Sequence, residues 1–229
     1  MRVISGSTKL VGVIGWPVQH SLSPRMHNEA FTALDLDWAY VPLPTASERL
    51  VEAVHGLAGL GFAGANVTTP HKLAVVDLCE TDAPSVNTLV VRDGRLEGWT
   101  TDAAILDGLP TERPVVLGDG GSAVAFAHAL PHARKFSRRA GWPPDVARAD
   151  LVVNATSERH EVLVELGPEH TLVDLPYPET ATATAARKAG ARVVSGLEVL
   201  LAQGVAAFEL WTGVEAPVDA MRDALGLRA

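Results

Sequence analysis

The chain has 229 residues, of which 47% are hydrophobic, which is enough for one large or two small packed domains and excludes a disordered or fibrous protein. Its net charge of −8 argues against a general nucleic-acid binder, because such proteins need a basic face to displace counterions from phosphates. A single cysteine, Cys79, excludes an internal disulfide framework and a cysteine-based zinc site, so we expect a reducing cytoplasm.

From the N-terminus onwards, short apolar, β-branched runs alternate with helical stretches, a pattern typical of an α/β protein with largely parallel sheets. The pattern predicts strands at 10–15, 38–43, 65–68, 88–92, 115–117, 151–154, 172–175 and 192–194. It predicts helices at 24–34, 47–59, 122–130, 181–189 and 197–211. The chain starts without a basic region and apolar core, and no run approaches the roughly 18 apolar residues of a membrane helix. We therefore expect a soluble protein with no targeting segment and no membrane partner.

The predicted domain organisation follows from a hairpin and the turns after it. Asp93-Gly94 lies between two strand-like arms, and Gly, Pro and Asp then cluster at 107–114. We place a domain boundary near 103–113. The resulting prediction is an N-terminal α/β domain at 1–103 and a dinucleotide-binding domain at 104–203, with a C-terminal helix at about 204–229 packing back on the first.

A glycine-rich loop opens the second predicted domain. The strand at 115–117 runs into Gly118-Asp119-Gly120-Gly121-Ser122-Ala123 and then an apolar helix. This is the G-x-G-x-x-A form of the dinucleotide loop, in which the first glycine permits a tight turn and the second lets the backbone approach a pyrophosphate. The candidate cofactor residues here are Gly118, Gly120, Gly121, Ser122 and Ala123. A carboxylate at Asp119 would repel the pyrophosphate unless it points away.

The charges after this loop indicate which dinucleotide is bound. NAD-binding units carry an acidic residue about 20 positions after the loop to hold the ribose hydroxyls. No acidic residue lies between Gly121 and Pro144, and the segment instead holds Arg134, Lys135, Arg138 and Arg139. This favours NADP, with Arg138 as the first candidate for the 2′-phosphate beside Ser137 and Arg139. Solvated surface cations are the alternative.

Polar residues are dense in the first hundred positions. Ser21 and Ser23 project from a turn that opens a helix, where a carboxylate could bind, although Ser23 could instead cap that helix. The segment Asn66-Val67-Thr68-Thr69-Pro70-His71-Lys72 also leaves a strand and is predicted to enter a helix. A lysine near a helix start opposes the helix dipole, so the position of Lys72 favours a functional role. We interpret His71 as support for the loop.

Seven ordered motifs make the sequence similar to a known family. HSLSPRMHNEAF, NVTTPHK, VNTLV, GWTTD, LGDGGSA, VVNATS and GLEVLLAQGVAAFELWTG follow one another along nearly the whole chain. Together they resemble the shikimate dehydrogenase family. The resemblance implies an N-terminal α/β substrate domain, a C-terminal Rossmann-type NADP-binding domain and a cleft between them. It also implies the NADP-dependent, reversible reduction of 3-dehydroshikimate to shikimate in aromatic amino-acid biosynthesis.

The resemblance also assigns roles to individual residues. Lys72 and Asp102 become the catalytic pair, in which Lys72 would supply a proton to the developing alkoxide and Asp102 would orient it. The implied substrate-binding residues are Ser21, Ser23, Thr68, Asn87, Gln203 and Tyr177. Further cofactor candidates are Asn154, Thr156 and Gly196, with a turn role equally open for Asn154 and Thr156. The histidines have no spacing that builds a metal site, so we expect none.

The chain departs from the family by being short. Fourteen residues separate Lys72 from Asn87, fifteen separate Asp102 from Gly118, and VVNATS continues with Glu158 where the family has a glycine. A dehydrogenase for quinate or an aminated shikimate analogue, which could share almost every motif, remains open. The shortened nucleotide domain also leaves open a non-catalytic shikimate sensor. We expect a monomer or homodimer.

Overall fold

The computed structural model describes residues 4–227, which form ten strands and six α-helices. The elements of the first half are β1 (Lys9–Gly15), α1 (Ser23–Ala33), β2 (Trp38–Pro44), α2 (Leu50–Gly59), β3 (Phe62–Val67), β4 (Thr88–Arg92) and β5 (Arg95–Trp99). Those of the second half are β6 (Pro114–Leu117), α3 (Gly121–Ala129), β7 (Arg134–Phe136), β8 (Leu151–Asn154), β9 (Thr171–Asp174), α4 (Ala181–Lys188), β10 (Arg192–Val194), α5 (Gly196–Thr212) and α6 (Val218–Ala224).

The chain divides into two compact units. The first runs up to Thr101 and resumes at Leu201, and the second comprises Asp102–Leu200. The first unit has a five-stranded sheet in the order β2-β1-β3-β4-β5. In this sheet β1 pairs in parallel with β2 and β3, whereas β4 is antiparallel to both β3 and β5. The Asp93-Gly94 turn that joins β4 and β5 has positive φ at both residues, as a tight hairpin requires.

The first unit buries one face of its sheet under α2 and packs α1, α5 and α6 into an aromatic core. Phe31, Phe208 and Trp211 are buried there, and the Trp211 indole Nε1 donates a 2.9 Å hydrogen bond to the Leu89 carbonyl. The prediction that Phe208 and Trp211 are packing residues is confirmed. His27 lies in the same core and stacks on Tyr40 at 4.6 Å between ring centroids.

The second unit is a fully parallel, five-stranded sheet in the order β10-β9-β8-β6-β7. Its central strands β6, β8 and β9 are buried at every residue. Their largely apolar sequences are typical of parallel strands that are covered on both faces. The chain leaves β6 towards β7 on one side and then crosses to β8 on the other. This change of direction is a topological switch point, where open α/β sheets bind ligands at the carboxyl ends of their strands.

The α/β class and the order of the predicted strands and helices are confirmed, with local differences. β7 was not among the strands predicted from the apolar pattern, and the helix predicted at about 204–229 is divided between the end of α5 and α6, with non-helical residues at 213–217 between them. β3 begins at Phe62, three residues before the predicted start. The segment after Lys72 was predicted as a helix start, but Lys72 lies in a turn and only a short 3-10 helix, Ala74–Leu78, follows. Within residues 4–227 no helix is long and apolar enough to cross a membrane.

Candidate functional site

One edge of the first sheet collects most of the candidate substrate and catalytic residues. Ser21 and Thr68 follow the carboxyl ends of the neighbouring parallel strands β1 and β3. Asn87 immediately precedes β4, and Thr101 lies two residues beyond β5. Because β4 and β5 alternate in direction, these positions fall at the same edge as the carboxyl ends of β1 and β3. The topology therefore brings residues that are distant in sequence to one edge.

Asn87 is the centre of a buried polar network at this edge. Its side-chain Oδ1 accepts a 2.7 Å hydrogen bond from the Thr101 backbone amide, and its Nδ2 donates to the Thr101 hydroxyl at 2.9 Å. The same Nδ2 donates to Oε1 of Gln203 at 3.4 Å. Asn87 is 2% exposed and Gln203 9% exposed. The network fixes the amide plane of Asn87 and places Gln203, a predicted substrate residue, against it.

A second layer of hydrogen bonds braces this network. Asn66 donates from Nδ2 to the Asn87 carbonyl and to the Thr88 hydroxyl, at 3.2 and 3.1 Å. Its Oδ1 accepts a 2.7 Å hydrogen bond from the Tyr40 hydroxyl. All these side chains are buried, so their hydrogen bonds stabilise one geometry strongly. Asn66 is therefore a structural member of its motif.

The turn that carries Lys72 is fixed on both sides by hydrogen bonds. His71 is buried, its Nε2 lies 2.7 Å from the Thr45 carbonyl, and its backbone amide donates to the Thr68 carbonyl at 2.9 Å. The interpretation of His71 as support for the loop is confirmed. The Lys72 carbonyl accepts a 2.9 Å hydrogen bond from the Val86 amide, next to Asn87. The argument that Lys72 opposes a helix dipole is wrong, because the backbone at Lys72 forms a turn. Hydrogen bonds to residues distant in sequence determine the position of the Lys72 backbone instead.

Asp102 is the first residue of the second unit and is 5% exposed. It follows Thr101, whose amide and hydroxyl are both bound by Asn87. The backbone leading into Asp102 is therefore held rigidly. Thr101 was not among the predicted site residues, although it lies in the GWTTD motif next to Asp102.

Ser21 lies in the turn before α1, and Ser23 is the first residue of that helix. The Ser23 amide donates to the Ser21 hydroxyl at 3.3 Å, and Ser21 is half-buried. α1 begins at Ser23, and the residue in the N-cap position is Leu22, which makes no side-chain capping bond. The alternative in which Ser23 caps this helix is therefore wrong, and the Ser23 hydroxyl makes no hydrogen bond within residues 4–227. Thr68 is likewise half-buried at the end of β3.

In the second unit, the glycine loop lies between the ends of β6 and β8. Gly118 has φ +121°, and a Cβ there would lie 2.9 Å from the Ala155 carbonyl oxygen, so only glycine fits. A Cβ on Gly120 would meet no atom within 4 Å. Gly120 therefore borders open space at the N-terminus of α3, where the first helical amides point outward. This open cradle fits the pyrophosphate of a dinucleotide.

The arginines after β7 are already engaged by carboxylates. Arg138 Nη2 lies 3.3 Å from Glu158 Oε2 and 2.9 Å from Glu161 Oε2, and Arg139 Nη1 lies 3.4 Å from Asp119 Oδ2. Asp119, whose charge would oppose the pyrophosphate, is thus partly balanced by Arg139. Both guanidinium groups are largely exposed to solvent.

Glu158 is held by three consecutive backbone amides. Its Oε1 accepts hydrogen bonds from the amides of Arg159, His160 and Glu161 at 2.9, 2.8 and 3.2 Å. The His160 amide, with smaller contributions from the other two amides and from Arg138, lowers the pKa of the Glu158 carboxyl below its usual value. Glu158 therefore remains ionised at neutral pH. The sequence indicated only that this position departs from the family.

The other predicted cofactor residues lie at neighbouring strand ends. Asn154 is fully buried, and its Nδ2 donates to Asp174 Oδ1 at 2.7 Å while its Oδ1 accepts from the amide and hydroxyl of Thr156. These contacts favour the turn role over a cofactor contact for Asn154. Burial raises the pKa of Asp174. Tyr177 is half-buried in the loop after β9.

α5 begins with a capping box that sequence analysis missed. The Ser195 amide and hydroxyl both donate to Glu198 Oε2 at 2.7 Å, and the S-x-x-E spacing was the signal. A Cβ on Gly196 would lie 2.5 Å from the Pro176 carbonyl oxygen. Gly196 therefore permits a close backbone approach to the loop that carries Tyr177. No cluster of metal-ligating side chains occurs in the described part of the chain.

Comparisons with known proteins match this arrangement. A family model described as the shikimate dehydrogenase substrate binding domain matches residues 13–89, and one described as the shikimate 5'-dehydrogenase C-terminal domain matches residues 196–225. The chain is 38% identical to a curated shikimate dehydrogenase (NADP(+)) of Citrifermentans bemidjiense, over 98% of this chain and 97% of the relative. That alignment spans 281 positions, more than the 229 residues of the chain, so it contains gaps in this sequence.

Solved structures are similar over nearly the whole chain. The shikimate 5-dehydrogenase of Thermus thermophilus, in complex with NADP(H) and shikimate, has a TM-score of 0.84 and 30% identity, covering 96% of this chain and 99% of that one. The quinate dehydrogenase of Corynebacterium glutamicum, in complex with NAD, has a TM-score of 0.77 and 25% identity, covering 95% of this chain and 98% of that one.

Proposed function

The chain belongs to the shikimate dehydrogenase family, and on that premise we propose that it catalyses the reversible, NADP-dependent reduction of 3-dehydroshikimate to shikimate. It is then an oxidoreductase acting on a CH–OH group in aromatic amino-acid biosynthesis. The observation that carries the proposal is the buried Asn87–Thr101–Gln203 network, which presents oriented amides at the sheet edge where Lys72 and Thr68 also lie. Oriented amides of this kind suit a polyhydroxylated ring.

We propose that two groups of residues bind the substrate. Ser21 and Ser23 bind its carboxylate, because they lie where the chain enters α1 after the carboxyl end of β1 and the Ser23 hydroxyl has no partner within residues 4–227. Thr68, Asn87 and Gln203 bind the ring hydroxyls. Asn87 and Gln203 are held before substrate arrives, which lowers the entropic cost of binding. Tyr177 is the further candidate from the second unit.

Lys72 and Asp102 are the proposed catalytic pair. When NADPH is bound, it supplies the hydride that reduces the carbonyl carbon. The Lys72 ammonium stabilises the negative charge that develops on the carbonyl oxygen and donates a proton to it. In the reverse direction the Lys72 amine accepts that proton from the hydroxyl. The proposed role of Asp102 is to accept a hydrogen bond from the substrate hydroxyl.

The proposed cofactor is NADP, and the second unit fits it. The amides at the start of α3, from Gly121 to Ala123, would hold the pyrophosphate beside Gly120, where no side chain intervenes. Ser137, Arg138 and Arg139 would hold the 2′-phosphate at the end of β7. Ser122 and Thr156 lie at the neighbouring loop ends, and Gly196 keeps the backbone close to the loop after β9.

A second candidate activity is the oxidation of quinate, which the similarity to a quinate dehydrogenase favours. An aminated shikimate analogue and a catalytically weak shikimate sensor are the remaining alternatives, the latter because the nucleotide unit is shortened. The sensor predicts that shikimate binds without turnover. A monomer or homodimer in the cytoplasm, with no nucleic-acid or membrane partner, completes the proposal. The negative net charge argues against a nucleic-acid partner, and the single cysteine is typical of a reducing compartment.

The deciding experiment measures reduced nicotinamide by absorbance when purified protein is given shikimate or quinate with NADP or NAD. We expect the highest kcat/KM for shikimate with NADP. Faster oxidation of quinate would instead identify the second candidate. Shikimate binding by calorimetry without turnover with either cofactor would refute the dehydrogenase activity and support the sensor.

A further inference from the structure

The predicted 2′-phosphate site of the second unit contains more negative charge than positive charge. Arg138 is paired with Glu158 and Glu161, and Arg139 is paired with Asp119, so two guanidinium groups face three carboxylates. A 2′-phosphate carries between one and two negative charges near neutral pH and binds best where the local potential is positive. The ion pairs therefore oppose the group that the arginines are proposed to bind.

The two carboxylates on Arg138 are held differently. Glu158 is anchored through its Oε1 by the amides of Arg159, His160 and Glu161, while its Oε2 faces Arg138 at 3.3 Å. Its side chain is 24% exposed, compared with 68% for Glu161. Glu161 can rotate into solvent when an anion arrives. Glu158 would have to leave three hydrogen bonds to do so, and its charge therefore stays beside Arg138.

The hydrogen-bonding capacity of Arg138 does not exclude a phosphate. Both carboxylates contact the same nitrogen, Nη2, whereas a guanidinium has five N–H donors. A phosphate could therefore still bind, but with the repulsion of a fixed neighbouring carboxylate. The consequence is a reduced affinity for the 2′-phosphate rather than its exclusion.

We infer that Glu158 and Glu161 are specificity-determining residues that compete with the 2′-phosphate of NADP for Arg138 and so narrow the preference of the protein for NADP over NAD. The inference rests on the proposed function, because it requires that NADP binds at the loop after β7. Glu158 contributes more than Glu161, since it is anchored. The competition weakens at high ionic strength, where exposed charges are screened.

The test measures the dissociation constants of NADP and NAD by calorimetry for the full-length protein and for the variants Glu158→Gln, Glu161→Gln and the double variant. Glutamine at 158 keeps an oxygen for the three amides while removing the charge. We expect NADP to bind about three- to tenfold more tightly to the double variant at low salt, with NAD unchanged, because exposed charge pairs each contribute only modestly. The gain should shrink in 0.5 M salt, roughly in line with screening.

Two controls make the result specific. Glu165→Gln removes the same charge from an exposed residue of the second unit that has no ion pair within the described residues, and it should leave both constants unchanged. Arg138→Ala in the double variant should abolish the gain. Glu161→Gln alters only an exposed side chain, so it tests the inference even if changes at Glu158 disturb the loop.

Unchanged NADP affinity in all three variants would overturn the inference, and weaker NADP binding would show that the carboxylates position Arg138 instead. Both outcomes leave the proposed function intact, provided that the wild type oxidises shikimate with NADP. Failure of wild type and variants alike to bind either dinucleotide would refute the cofactor proposal and the inference together. Equal tightening of NADP and NAD would also contradict the inference, because NAD has no 2′-phosphate.

Discussion

The two units differ in where they place their polar groups. The first unit buries its candidate site residues in a hydrogen-bonded network, with Asn87 2% exposed and its amide contacting Thr101 and Gln203. The second unit holds its candidate phosphate ligands in solvent, with the side chains of Arg138 and Arg139 62% and 88% exposed and bound to carboxylates. If these residues bind the proposed ligands, recognition in the first unit depends on fixed geometry, and recognition in the second depends on a balance of charges.

This difference has consequences for how each unit tolerates change. Buried hydrogen bonds are costly to remove, because a donor left unpaired loses its hydration as well as its partner. Exposed ion pairs contribute little each and depend on ionic strength. We therefore expect substitutions in the first unit to act on activity and stability, whereas charge substitutions in the second mainly change cofactor preference.

Lys72→Ala should have the largest effect of the changes considered. If Lys72 donates the proton, kcat should fall by roughly 10²- to 10⁴-fold, whereas the dissociation constant of shikimate should change by no more than about threefold. Steady-state rates and calorimetry measure the two quantities. Lys188→Ala, at an exposed lysine of α4, is the matched control and should behave as wild type. Near-normal turnover in Lys72→Ala would remove Lys72 from the catalytic pair.

Two buried groups, one in each unit, should contribute to the acid response with opposite signs. Burial lowers the pKa of His27, in the first unit, from 6.5 to about 3. The unfolded chain therefore binds more protons at this residue between pH 6.5 and about 3, and the free energy of unfolding falls as the pH decreases through that range. Asp174, in the second unit, has its pKa raised by burial, so it favours the folded state below its unfolded pKa and loses that contribution as the pH rises.

Urea unfolding between pH 7.5 and 4 tests the His27 contribution. His27→Phe puts carbon atoms in place of two ring nitrogens that have no hydrogen-bond partner within residues 4–227, in contact with Tyr40 and Trp211. The variant should lack the part of the acid destabilisation that His27 causes, which is at most about 3.5 kcal/mol between pH 6.5 and pH 4. His55→Gln, at an exposed histidine of the same unit, should keep the wild-type slope. A slope in His27→Phe equal to wild type would contradict the assignment.

Sequence patterns predicted the strands well because their apolar runs are short and bounded by turn residues. The runs that became β6, β8 and β9 are continuous and buried, as parallel central strands require. Residues 73–78 were misassigned because their apolar content is compatible with a helix, whereas the hydrogen bonds that His71 and Lys72 make to distant residues produce a turn. Such long-range partners are not encoded in local periodicity.

The candidate site could be predicted only in part, for a related reason. Local motifs identified the glycine loop, since the conformation of Gly118 and the space beside Gly120 follow from the loop itself. Thr101 escaped detection because its role depends on Asn87, fourteen positions away. Arg138 was predicted from the sequence, but its ion pairs with Glu158 and Glu161 were not, because these carboxylates lie on a different loop.

Two buried asparagines allow the units to be compared directly. Asn87→Ala leaves the Thr101 amide without its acceptor, and Asn154→Ala removes the donor to Asp174. Each should lower the free energy of unfolding by about 1 to 3 kcal/mol. Asn87→Ala should weaken shikimate binding more than NADP binding, and Asn154→Ala should do the reverse; calorimetry with each ligand measures this. Equal losses for both ligands in both variants would show that the units do not bind separate ligands.

In the glycine loop, alanine substitutions at two glycines should change stability in opposite directions. Gly118→Ala forces a side chain into φ +121° and against the Ala155 carbonyl, which should cost about 1 to 3 kcal/mol of unfolding free energy. Gly120 has φ −80° and open space around it, so Gly120→Ala should leave stability unchanged or raise it by up to about 1 kcal/mol.

The methyl group added by Gly120→Ala would also occupy the space proposed for the pyrophosphate. NADP should then bind at least tenfold more weakly, since its phosphates could not approach the amides of α3. Thermal unfolding and calorimetry with NADP separate the two effects, and shikimate affinity, which depends on the first unit, should be the same in both variants. A Gly120→Ala protein that binds NADP as tightly as wild type would place the pyrophosphate elsewhere in the second unit.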